Sequence, residues 1–423
     1  MDANIKNTGC YGLIGEKLGH SYSKRIHRAL ADYDYELISI PKEEIEAFLS
    51  ARDFTGLNVT IPYKRTVISH CDLLTDAARE IGSVNTLMMQ PDGRLLGDNT
   101  DYAGFLYLAR SAGVDFKDKK ILLLGSGGTS LTACAAMRRS GAKEIVVVSR
   151  GGAVDYENVY AQENADIVVN TTPVGMFPNN GARPVDLTRF PKLGGVLDVI
   201  YNPLSTALIS DARRLGIPCA GGLSMLVAQA KYAAERFAGR LIPDGQIDAV
   251  ERQLRRELTN LVLVGMPGSG KSALAAACAE RLGRVVVELD DLIAQKAGMT
   301  IPDIFAKHGE GHFRALEAEA VAEAGKRTGL VISTGGGAVL REENVTAMRQ
   351  NGLLVWVERP LDALSTDGRP LSKDLDTLQK MLAQRAPIYK AVSDFAVQND
   401  RDVAHAVQSV LDGFERALGE RPN

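Results

Sequence analysis

The sequence predicts an α/β protein built from parallel sheets covered by helices. Short runs of Val, Ile and Leu alternate with helix-length amphipathic segments through most of the chain, which is typical of βαβ units. Two glycine-rich loops each follow one of these apolar runs and precede a helix-like stretch. A breaker cluster at residues 241–245 separates the two loops. Together these observations predict an α/β chain with two nucleotide sites.

The expected strands share a length of four to six residues and a composition dominated by Val, Ile and Leu. They lie at residues 121–125, 144–149, 166–170, 195–200, 261–265, 285–289, 330–333 and 353–358. After the breaker cluster, residues 246–258 place their apolar side chains on one helical stripe, which predicts a helical linker instead of a flexible tether. That stripe consists of Ile247, Val250, Leu254 and Leu258.

The composition is that of an ordinary globular protein and argues against several partners. With 423 residues, 45% of them hydrophobic and 24% charged, the chain can build more than one full core. Its net charge of −3 argues against a general nucleic-acid or membrane surface, so small anionic metabolites are the expected partners. Five scattered cysteines without metal-ligand spacing, and a sequence without a secretion leader or membrane-length apolar run, predict a cytoplasmic protein. The sequence leaves open whether copies form a homo-oligomer.

The first glycine-rich loop is a variant of the dinucleotide-binding turn of Rossmann-like domains. Its glycines are Gly125, Gly127 and Gly128. They let the backbone approach a pyrophosphate, which then rests on the N-terminus of the helix expected at residues 129–140. The next strand ends in Ser149 and Arg150, where a cation suits the 2′-phosphate of NADP(H). Two plainer interpretations stay open, an ordinary strand-to-helix turn and an exposed arginine that caps a strand end.

The second glycine-rich loop is a complete GxxxxGKS motif directly after an apolar run. Its backbone N–H groups, at Gly268, Ser269 and Gly270, are expected to cradle phosphates. Lys271 would reach the β- and γ-phosphate oxygens, and the Ser272 hydroxyl would bind Mg²⁺. The loop therefore predicts ATP with Mg²⁺ as the ligand of a P-loop α/β domain with a parallel sheet.

Seven motifs in the first half, taken together in their order and spacing, resemble those of the shikimate dehydrogenase family. They are HSYSK at 20–24, NVTIPYK at 58–64, GSVNT at 82–86, GDNTD at 97–101, NTTPVGM at 170–176, DVIYNP at 198–203 and GLSMLVAQ at 222–229. The resemblance covers roughly residues 9–240. It implies NADPH-dependent reduction of 3-dehydroshikimate to shikimate, on an N-terminal α/β substrate domain and a Rossmann-like NADP-binding domain.

The same resemblance implies roles for individual residues. Lys64 would donate the proton that the emerging alkoxide needs, while Asp101 holds its ammonium and hydrogen-bonds the substrate. Ser21 and Ser23 match the family's carboxylate clamp, and Gly222 matches its cofactor contacts. Further substrate contacts are implied for Thr60, Asn85, Tyr201 and Gln229.

Some of these positions have plainer interpretations or depart from the family's pattern. Taken alone, Lys64 fits an exposed surface lysine, and Asp101 fits the N-cap of a helix that begins near Tyr102. Tyr102 replaces a usual glycine, and Arg65 replaces a common acidic residue. Arg150 is followed by two glycines, where the family tends to have a second basic residue. The preference for NADP(H) over NAD is therefore a hypothesis.

Downstream of the GxxxxGKS loop, further motifs resemble shikimate kinase over roughly residues 260–415. They are ELDD at 288–291, FRALE at 313–317, GGG at 335–337, RPL at 369–371 and RAPIY at 385–389. The resemblance implies that Arg314 and Arg385 hold the carboxylate of the phosphate acceptor. It also implies that Asp290 orients the attacking hydroxyl group.

The remaining kinase positions concern the ring, the metal and the lid. By the same resemblance, Gly336 and Gly337 line the acceptor ring, and Arg369 stabilises charge on the transferring phosphoryl group. Glu288 takes the place of an Asp that assists Mg²⁺ binding. The stretch at residues 358–369 is short for a mobile lid. The short lid puts the rate and the ATP affinity in doubt, though not the reaction type.

Because the product of the first implied reaction is the acceptor of the second, the sequence predicts a bifunctional enzyme of the shikimate pathway, an oxidoreductase joined to a phosphotransferase. The expected division is a dehydrogenase substrate domain at 1–102 with 223–242, an NADP(H) domain at 103–222, a helical linker at 243–259 and a kinase domain at 260–423. An alternative stays open, in which a quinate/shikimate dehydrogenase carries a weakened or regulatory kinase half.

Overall fold

The computed structural model describes residues 10–19, 21–361, 364 and 375–420 of the chain. Within that part, the strands form three separate sheets, each covered by helices. No helix among the described residues is both long and apolar enough to cross a membrane. Short 3₁₀ turns lie at Thr66–His70, Val159–Gln162, Leu187–Arg189 and Ala338–Leu340.

The N-terminal sheet is mixed. Its strands are β1 (Tyr11–Gly15), β2 (Tyr35–Ser39), β3 (Gly56–Val59), β4 (Leu73–Leu74), β5 (Thr86–Met89) and β6 (Leu95–Asp98). The helices of this part are α1 (Ser23–Leu30), α2 (Ile45–Ala51) and α3 (Asp76–Ile81). The strand order is β2-β1-β3-β5-β6-β4, with β5 antiparallel to both of its neighbours. Because β3 and β6 both oppose β5, they point the same way, and the loops that follow them lie at one edge of the sheet.

The second sheet is parallel throughout its described pairings. Its strands are β7 (Lys120–Leu124), β8 (Glu144–Val148), β9 (Ile167–Asn170), β10 (Gly195–Asp198) and β11 (Cys219–Ala220). Its helices are α4 (Asp101–Ser111), α5 (Gly128–Arg139), α6 (Ala207–Arg214) and α7 (Leu223–Ala238). In the order β11-β10-β9-β7-β8, the strands β8 and β9 flank β7 on opposite sides. The carboxyl end of β7 is therefore the switch point where such sheets bind nucleotides.

Two helices tie the first two sheets together. Phe105 and Leu108 of α4 pack into the core of the second sheet, as does Met225 of α7. Farther along α7, Ala233 and Phe237 pack against the first sheet. The two sheets consequently share α7, and the crevice between them has fixed walls.

The linker helix α8 (Gly245–Leu258) is a packed element of the fold. The four apolar residues of the predicted stripe, from Ile247 to Leu258, are each at most 4% exposed and join a cluster with α1 and α7. Tyr107 of α4 donates a hydrogen bond to Asp248 Oδ1 at 2.5 Å. The helix is therefore attached along its length to the N-terminal half.

The third sheet is parallel in its described pairings. Its strands are β12 (Asn260–Val264), β13 (Val285–Glu288), β14 (Leu330–Ser333), β15 (Gly352–Glu358) and β16 (Phe395–Gln398). Its helices are α9 (Lys271–Leu282), α10 (Leu289–Ala297), α11 (Ile301–Lys326), α12 (Glu342–Asn351), α13 (Leu375–Val392) and α14 (Val403–Glu420). The strand order is β13-β14-β12-β15-β16, and helices cover both faces. The loop after β12 thus lies at the centre of the sheet edge.

All eight strands expected from the sequence are present, with ends that shift by at most two residues. The largest shift is at β10, which ends at Asp198, two residues before the expected end of the apolar run. There the Ile200 backbone N–H donates to Asp198 Oδ1 at 3.1 Å, so it is bonded to a side chain and not to a neighbouring strand.

Candidate active sites

The first cavity lies between the first and second sheets and is lined by residues that follow β3, β6, β7 and β10. Its volume is about 390 Å³. The predicted residues that line it are Ser21, Ser23, Thr60, Lys64, Asn85, Asp101, Tyr201, Gly222 and Gln229. The fold therefore collects in one crevice residues that the sequence distributes over six motifs.

Lys64 and Asp101 form an ion pair in this cavity. Lys64 Nζ donates to Asp101 Oδ2 at 2.6 Å, and the side chains are only 22% and 11% exposed. Asp101 is the first residue of α4, whose N-cap position is taken by Thr100. The interpretation of Asp101 as the N-cap is therefore wrong, because Thr100 holds that position. The interpretation of Lys64 as an exposed surface lysine is also wrong, because its ammonium is bonded to the Asp101 carboxylate in the cavity.

The two serines of the expected carboxylate clamp stand together at the start of α1. Ser21 Oγ donates to Ser23 Oγ at 3.1 Å and accepts from the Ser23 backbone N–H at 3.2 Å. The two hydroxyl groups are thus close enough to reach both oxygens of one carboxylate.

Asn85 and Gln229 are fixed polar groups in the cavity wall. Asn85 Nδ2 donates to Gln229 Oε1 at 3.3 Å. Asn85 Oδ1 accepts from the Thr100 backbone N–H at 2.7 Å, and Gln229 Nε2 donates to the Leu226 carbonyl at 2.9 Å. Because each amide is also bonded to a main-chain group, both amides are held in one orientation.

Tyr201 and Thr60 complete the predicted substrate contacts. The Tyr201 ring lies 5.7 Å from the Tyr22 ring, and burial raises the pKa of the Tyr201 hydroxyl above its usual value. That hydroxyl is therefore a neutral hydrogen-bond donor at physiological pH. Thr60 follows β3, where its backbone N–H donates to the Ile14 carbonyl at 2.9 Å.

The dinucleotide loop lies at the carboxyl end of β7, and its geometry fits a pyrophosphate. Gly125 has a φ of +108°, and a Cβ there would lie 2.9 Å from Thr171 Oγ1, so a larger residue is excluded. Gly127 and Gly128 face open space at the N-terminus of α5, and no side chain among the described residues caps that helix. The first N–H groups of α5 are therefore directed at a space that phosphate oxygens can fill.

Other residues expected to contact NADP(H) lie near that loop. Arg150 is exposed directly after Ser149 at the end of β8, on the same sheet edge as Gly125. Gly222 precedes α7 and lines the first cavity. A Cβ on Gly222 would overlap the Val199 carbonyl group, so this close approach requires glycine.

The second cavity, of about 480 Å³, lies at the carboxyl ends of β12, β13 and β14. Predicted residues in its lining are Gly268, Gly270, Lys271, Ser272, Glu288, Asp290, Arg314, Gly336, Gly337 and Arg385. Ser269 is fully buried and is not among the lining residues, so it supports the loop from below. Arg369 lies outside the described residues, as does most of the lid stretch.

The GxxxxGKS loop has the backbone shape of a phosphate cradle. Gly265, Gly268 and Gly270 have φ values of +145°, +83° and +89°, which favour glycine. Lys271 Nζ donates to the Gly265 and Met266 carbonyl groups at 3.0 and 2.9 Å. The ammonium is therefore held over the loop where phosphate oxygens are expected.

Ser272 and Glu288 fit the expected Mg²⁺ site. Ser272 Oγ donates to Glu288 Oε2 at 3.2 Å, beside the phosphate loop. Hydroxyl and carboxylate oxygens are the ligands that Mg²⁺ prefers, and it usually keeps several waters. Elsewhere, no cluster of three or more His, Cys, Asp or Glu suited to a metal is found among the described residues.

Arg314 is held by two carboxylates of its own helix, α11. It donates from Nη1 to Glu317 Oε2 at 2.8 Å and from Nη2 to Glu310 Oε1 at 3.1 Å. Glu317 is 1% exposed, and burial raises the pKa of its carboxyl group while Arg314 opposes that rise. A Cβ on Gly337 would overlap the Arg314 guanidinium, so the glycine loop and the arginine pack directly together. Glu317 thus fixes the cation at one wall of the cavity.

Arg385 approaches the same glycine loop from α13. Its Nη1 donates to the Gly336 carbonyl at 3.2 Å, and the Tyr389 hydroxyl donates to that carbonyl as well. A Cβ on Gly336 would lie 2.6 Å from Pro267 of the phosphate loop. Gly336 therefore contacts both Arg385 and the phosphate loop.

Sequence reasoning missed several residues that line the two cavities. Lys17 and Thr129 line the first, and Glu317 and Arg359 line the second. Glu317 lies in the FRALE motif, three residues from Arg314, so helical spacing of opposite charges could have revealed it. Thr129 directly follows the predicted glycine loop at the start of α5, so its place in the motif could also have revealed it. Lys17 and Arg359 carry no comparable local signal, since only tertiary packing brings them to the cavities.

Comparison with known proteins matches both halves of the chain. The protein-family model described as "Shikimate dehydrogenase substrate binding domain" matches residues 13–87, and the one described as "Shikimate kinase" matches residues 267–415. A curated relative, shikimate dehydrogenase (NADP(+)) of Caldicellulosiruptor bescii, is 38% identical over 252 residues. That alignment covers 52% of this chain and 85% of the relative.

Solved structures resemble the N-terminal part. A chorismate mutase/shikimate 5-dehydrogenase fusion protein from Clostridium acetobutylicum matches with a TM-score of 0.55 and 35% identity, over 59% of this chain and 97% of that chain. Shikimate 5-dehydrogenase from Thermus thermophilus, solved with NADP(H) and shikimate, matches with a TM-score of 0.52 and 29% identity. The match covers 57% of this chain and 98% of the Thermus thermophilus chain.

Proposed function

Since this chain belongs to the shikimate dehydrogenase family and continues into a shikimate kinase domain, we propose that its two cavities catalyse consecutive reactions. The chain is a bifunctional enzyme of the shikimate pathway. Its first half reduces 3-dehydroshikimate to shikimate with NADPH, and its second half phosphorylates shikimate to shikimate 3-phosphate with ATP. The observation that carries this function is the pair of cavities, one around Lys64 and Asp101 and the other around Lys271 and Arg314.

In the dehydrogenase half, Lys64 is the proton donor. NADPH, when bound, supplies the hydride, and the ketone oxygen then needs a proton. The Lys64 ammonium can give that proton, because Asp101 holds it at 2.6 Å inside the cavity. Asp101 also accepts a hydrogen bond from a substrate hydroxyl.

The other polar groups of this cavity orient the substrate. Ser21 and Ser23 bind its carboxylate with their adjacent hydroxyl groups. Thr60 and Tyr201 donate to oxygens of the ring. Asn85 and Gln229 contact the same substrate; their mutual hydrogen bond keeps them pre-organised for it.

NADP(H) is assigned to the edge of the second sheet. The pyrophosphate rests on the N-terminus of α5, where Gly125, Gly127 and Gly128 leave it room. Ser149 and Arg150 lie at the end of the next strand, where the exposed guanidinium suits a 2′-phosphate. Because Gly222 has no side chain, its backbone can lie close to the Val199 carbonyl group in the wall of the first cavity.

In the kinase half, Asp290 and the arginines arrange the acceptor. Arg314 and Arg385 bind the carboxylate of shikimate, and Asp290 accepts from the attacking hydroxyl and orients it. Gly336 and Gly337 line the wall beside the ring, at positions where a Cβ would overlap Pro267 and the Arg314 guanidinium. Arg369, in the lid, stabilises charge on the transferring group.

The phosphate loop holds the nucleotide. ATP, when bound with Mg²⁺, supplies the phosphoryl group. The N–H groups around Gly268, Ser269 and Gly270 hold the phosphates, and Lys271 neutralises their charge. Ser272 and Glu288 are the protein ligands nearest to the metal position.

We propose the domain division that the sequence predicts. Residues 1–102 with 223–242 are assigned to the substrate domain and 103–222 to the NADP(H) domain, and the packing of Phe237 of α7 against the first sheet supports this assignment. Residues 243–259 form the helical linker, and 260–423 form the kinase domain. We place the enzyme in the cytoplasm, since its five cysteines are all free thiols.

A single incubation tests the function. The purified chain is given 3-dehydroshikimate, NADPH and Mg·ATP, and the products are identified by mass. Shikimate 3-phosphate is the expected product, and NADPH oxidation that stops at shikimate would exclude an active kinase. Initial rates of coenzyme reduction with quinate and with shikimate, each measured with NADP⁺ and with NAD⁺, separate this function from that of a quinate-using enzyme with a regulatory kinase half.

A further inference from the structure

Two main-chain N–H groups that closely follow Tyr201 are hydrogen-bonded to the kinase domain. The Leu204 N–H donates to the side-chain oxygen Oδ1 of Asn351 at 2.9 Å, and the Ser205 N–H donates to the Gln350 carbonyl at 2.9 Å. Gln350 and Asn351 are the last two residues of α12, where helix carbonyl groups such as that of Gln350 lack partners within the helix. These donors follow Tyr201 by three and four residues, so the contact fixes the segment that carries Tyr201.

A second contact reaches the other side of the same cavity. Tyr22 stands between the clamp residues Ser21 and Ser23, and its ring packs against the Tyr201 ring, 5.7 Å between centroids. Burial raises the pKa of the Tyr22 hydroxyl, and the neighbouring Thr328 of the kinase domain opposes that rise. The two substrate-binding segments are therefore in contact with each other, and the Tyr201 segment is hydrogen-bonded to the kinase domain.

The Asn351 side chain on the kinase side is rigidly held. Asn351 is 1% exposed, and its Nδ2 donates to the Gly325 carbonyl at 3.0 Å, so both ends of its amide are bonded. A surface segment bonded to such a group loses freedom that it would otherwise have.

We propose that Asn351 of the kinase domain is a positioning residue for the dehydrogenase reaction. It holds the Tyr201 segment, and through the contact between the Tyr22 and Tyr201 rings also the Ser21–Ser23 clamp, in the substrate-binding arrangement. This inference rests on the proposed assignment of those residues to the dehydrogenase substrate site. If the segments can move, only a fraction of the molecules is ready to bind, and the apparent affinity for substrate falls by that fraction. The kinase domain is in this way part of the dehydrogenase site.

The first test is Asn351→Ala in the full-length chain. Loss of one such hydrogen bond should raise the KM for 3-dehydroshikimate about threefold to tenfold. The kcat and the KM for NADPH should change less than about twofold, because the reacting groups and the dinucleotide loop are untouched. A purely structural role would instead lower the amount of active enzyme, which reduces the apparent kcat and leaves KM unchanged.

The second test removes the ring that joins the two segments. Tyr22→Ala should raise the KM for 3-dehydroshikimate, because the clamp then loses its contact with the Tyr201 ring. An unchanged KM in Tyr22→Ala would overturn the link between the clamp and the Tyr201 segment.

Two controls separate this inference from the function on which it rests. Asn344→Ala removes an equally buried asparagine of α12 that donates within the kinase, to the Ala338 carbonyl at 2.9 Å, so the dehydrogenase KM should stay constant. Ser23→Ala tests the clamp itself and should raise the KM strongly. If Ser23→Ala has no effect, the site assignment and the inference both fail. If Ser23→Ala raises the KM and Asn351→Ala does not, the positioning role alone fails.

Discussion

Lys64 and Asp101 meet across the first sheet, Nζ to Oδ2 at 2.6 Å, although they are 37 residues apart in the chain. Lys64 follows β3 and Asp101 follows β6, two strands that point the same way because each is antiparallel to β5. The ion pair is therefore a consequence of strand order. It lies among the hydroxyl and amide groups that we assign to the substrate.

Lys64→Ala is expected to abolish oxidation of NADPH by 3-dehydroshikimate and to leave the phosphorylation of added shikimate intact. The alkoxide then lacks its proton donor, and loss of such a group costs about 10²- to 10⁴-fold in rate. Both activities are measured on one preparation. Arg65→Ala removes the neighbouring exposed cation and should behave as wild type. Loss of both activities in Lys64→Ala would argue against independent sites.

Lys271→Ala is expected to give the opposite pattern. Its ammonium lies over the phosphate loop, bonded to the Gly265 and Met266 carbonyl groups, so its removal leaves phosphate charge unneutralised. ATP-dependent formation of shikimate 3-phosphate should fall by about 10²-fold or more, the scale of losing an oriented charge at a reacting centre. Lys307→Ala, at an exposed position of α11, is the matched control. Unchanged phosphorylation in Lys271→Ala would contradict the kinase mechanism.

Glu317→Gln is expected to raise the KM for shikimate in the kinase reaction much more than the KM for ATP. The buried carboxylate holds the Arg314 guanidinium at 2.8 Å, and loss of a charge-assisted hydrogen bond costs about 1.5 to 3 kcal/mol, or about tenfold to a hundredfold. Glu310, the other partner of Arg314, is 58% exposed, so Glu310→Gln should have a small effect. Equal effects of the two variants would show that burial of Glu317 is unimportant.

Arg150→Ala is expected to raise the KM for NADPH about tenfold and to leave the KM for NADH nearly constant, because only NADPH carries the 2′-phosphate. Arg138→Ala, an exposed arginine of α5, serves as the control. Initial rates with each coenzyme at fixed 3-dehydroshikimate measure the effect. A parallel rise of both KM values would place Arg150 on the shared part of the coenzyme.

His27→Phe is expected to make the protein less sensitive to acid. Burial lowers the pKa of His27 from 6.5 to about 3, and its ring is stacked on Tyr35 with centroids 3.9 Å apart. A base with a lowered folded-state pKa contributes stability above its unfolded pKa, and that stability is lost as the pH falls from 6.5 towards 3. Between pH 6.5 and pH 5 the loss is about 2 kcal/mol, at about 1.4 kcal/mol for each pH unit.

Urea unfolding at pH 6.5 and pH 5 measures this effect. The wild-type midpoint should fall more than the midpoint of His27→Phe, since phenylalanine keeps the stacked ring and has no nitrogen to titrate. His308→Phe, at an exposed histidine of α11, should keep the pH dependence of the wild type. An unchanged pH dependence in His27→Phe would show that other groups cause the acid sensitivity.

The amino-acid sequence by itself predicted eight strands of the second and third sheets, the two phosphate-binding loops and the linker helix. Through the family resemblances it also named many of the polar residues that line the cavities. The strands, loops and helix are local features, because alternating apolar runs and glycines at fixed spacing constrain the backbone of a few neighbouring residues. Tertiary structure alone decided that Lys17 lines the dehydrogenase cavity, that Arg359 lines the kinase cavity and that Asn351 is bonded to Leu204. Such contacts depend on strand order and on the packing of one domain against another, and neither leaves a periodic signal in the chain.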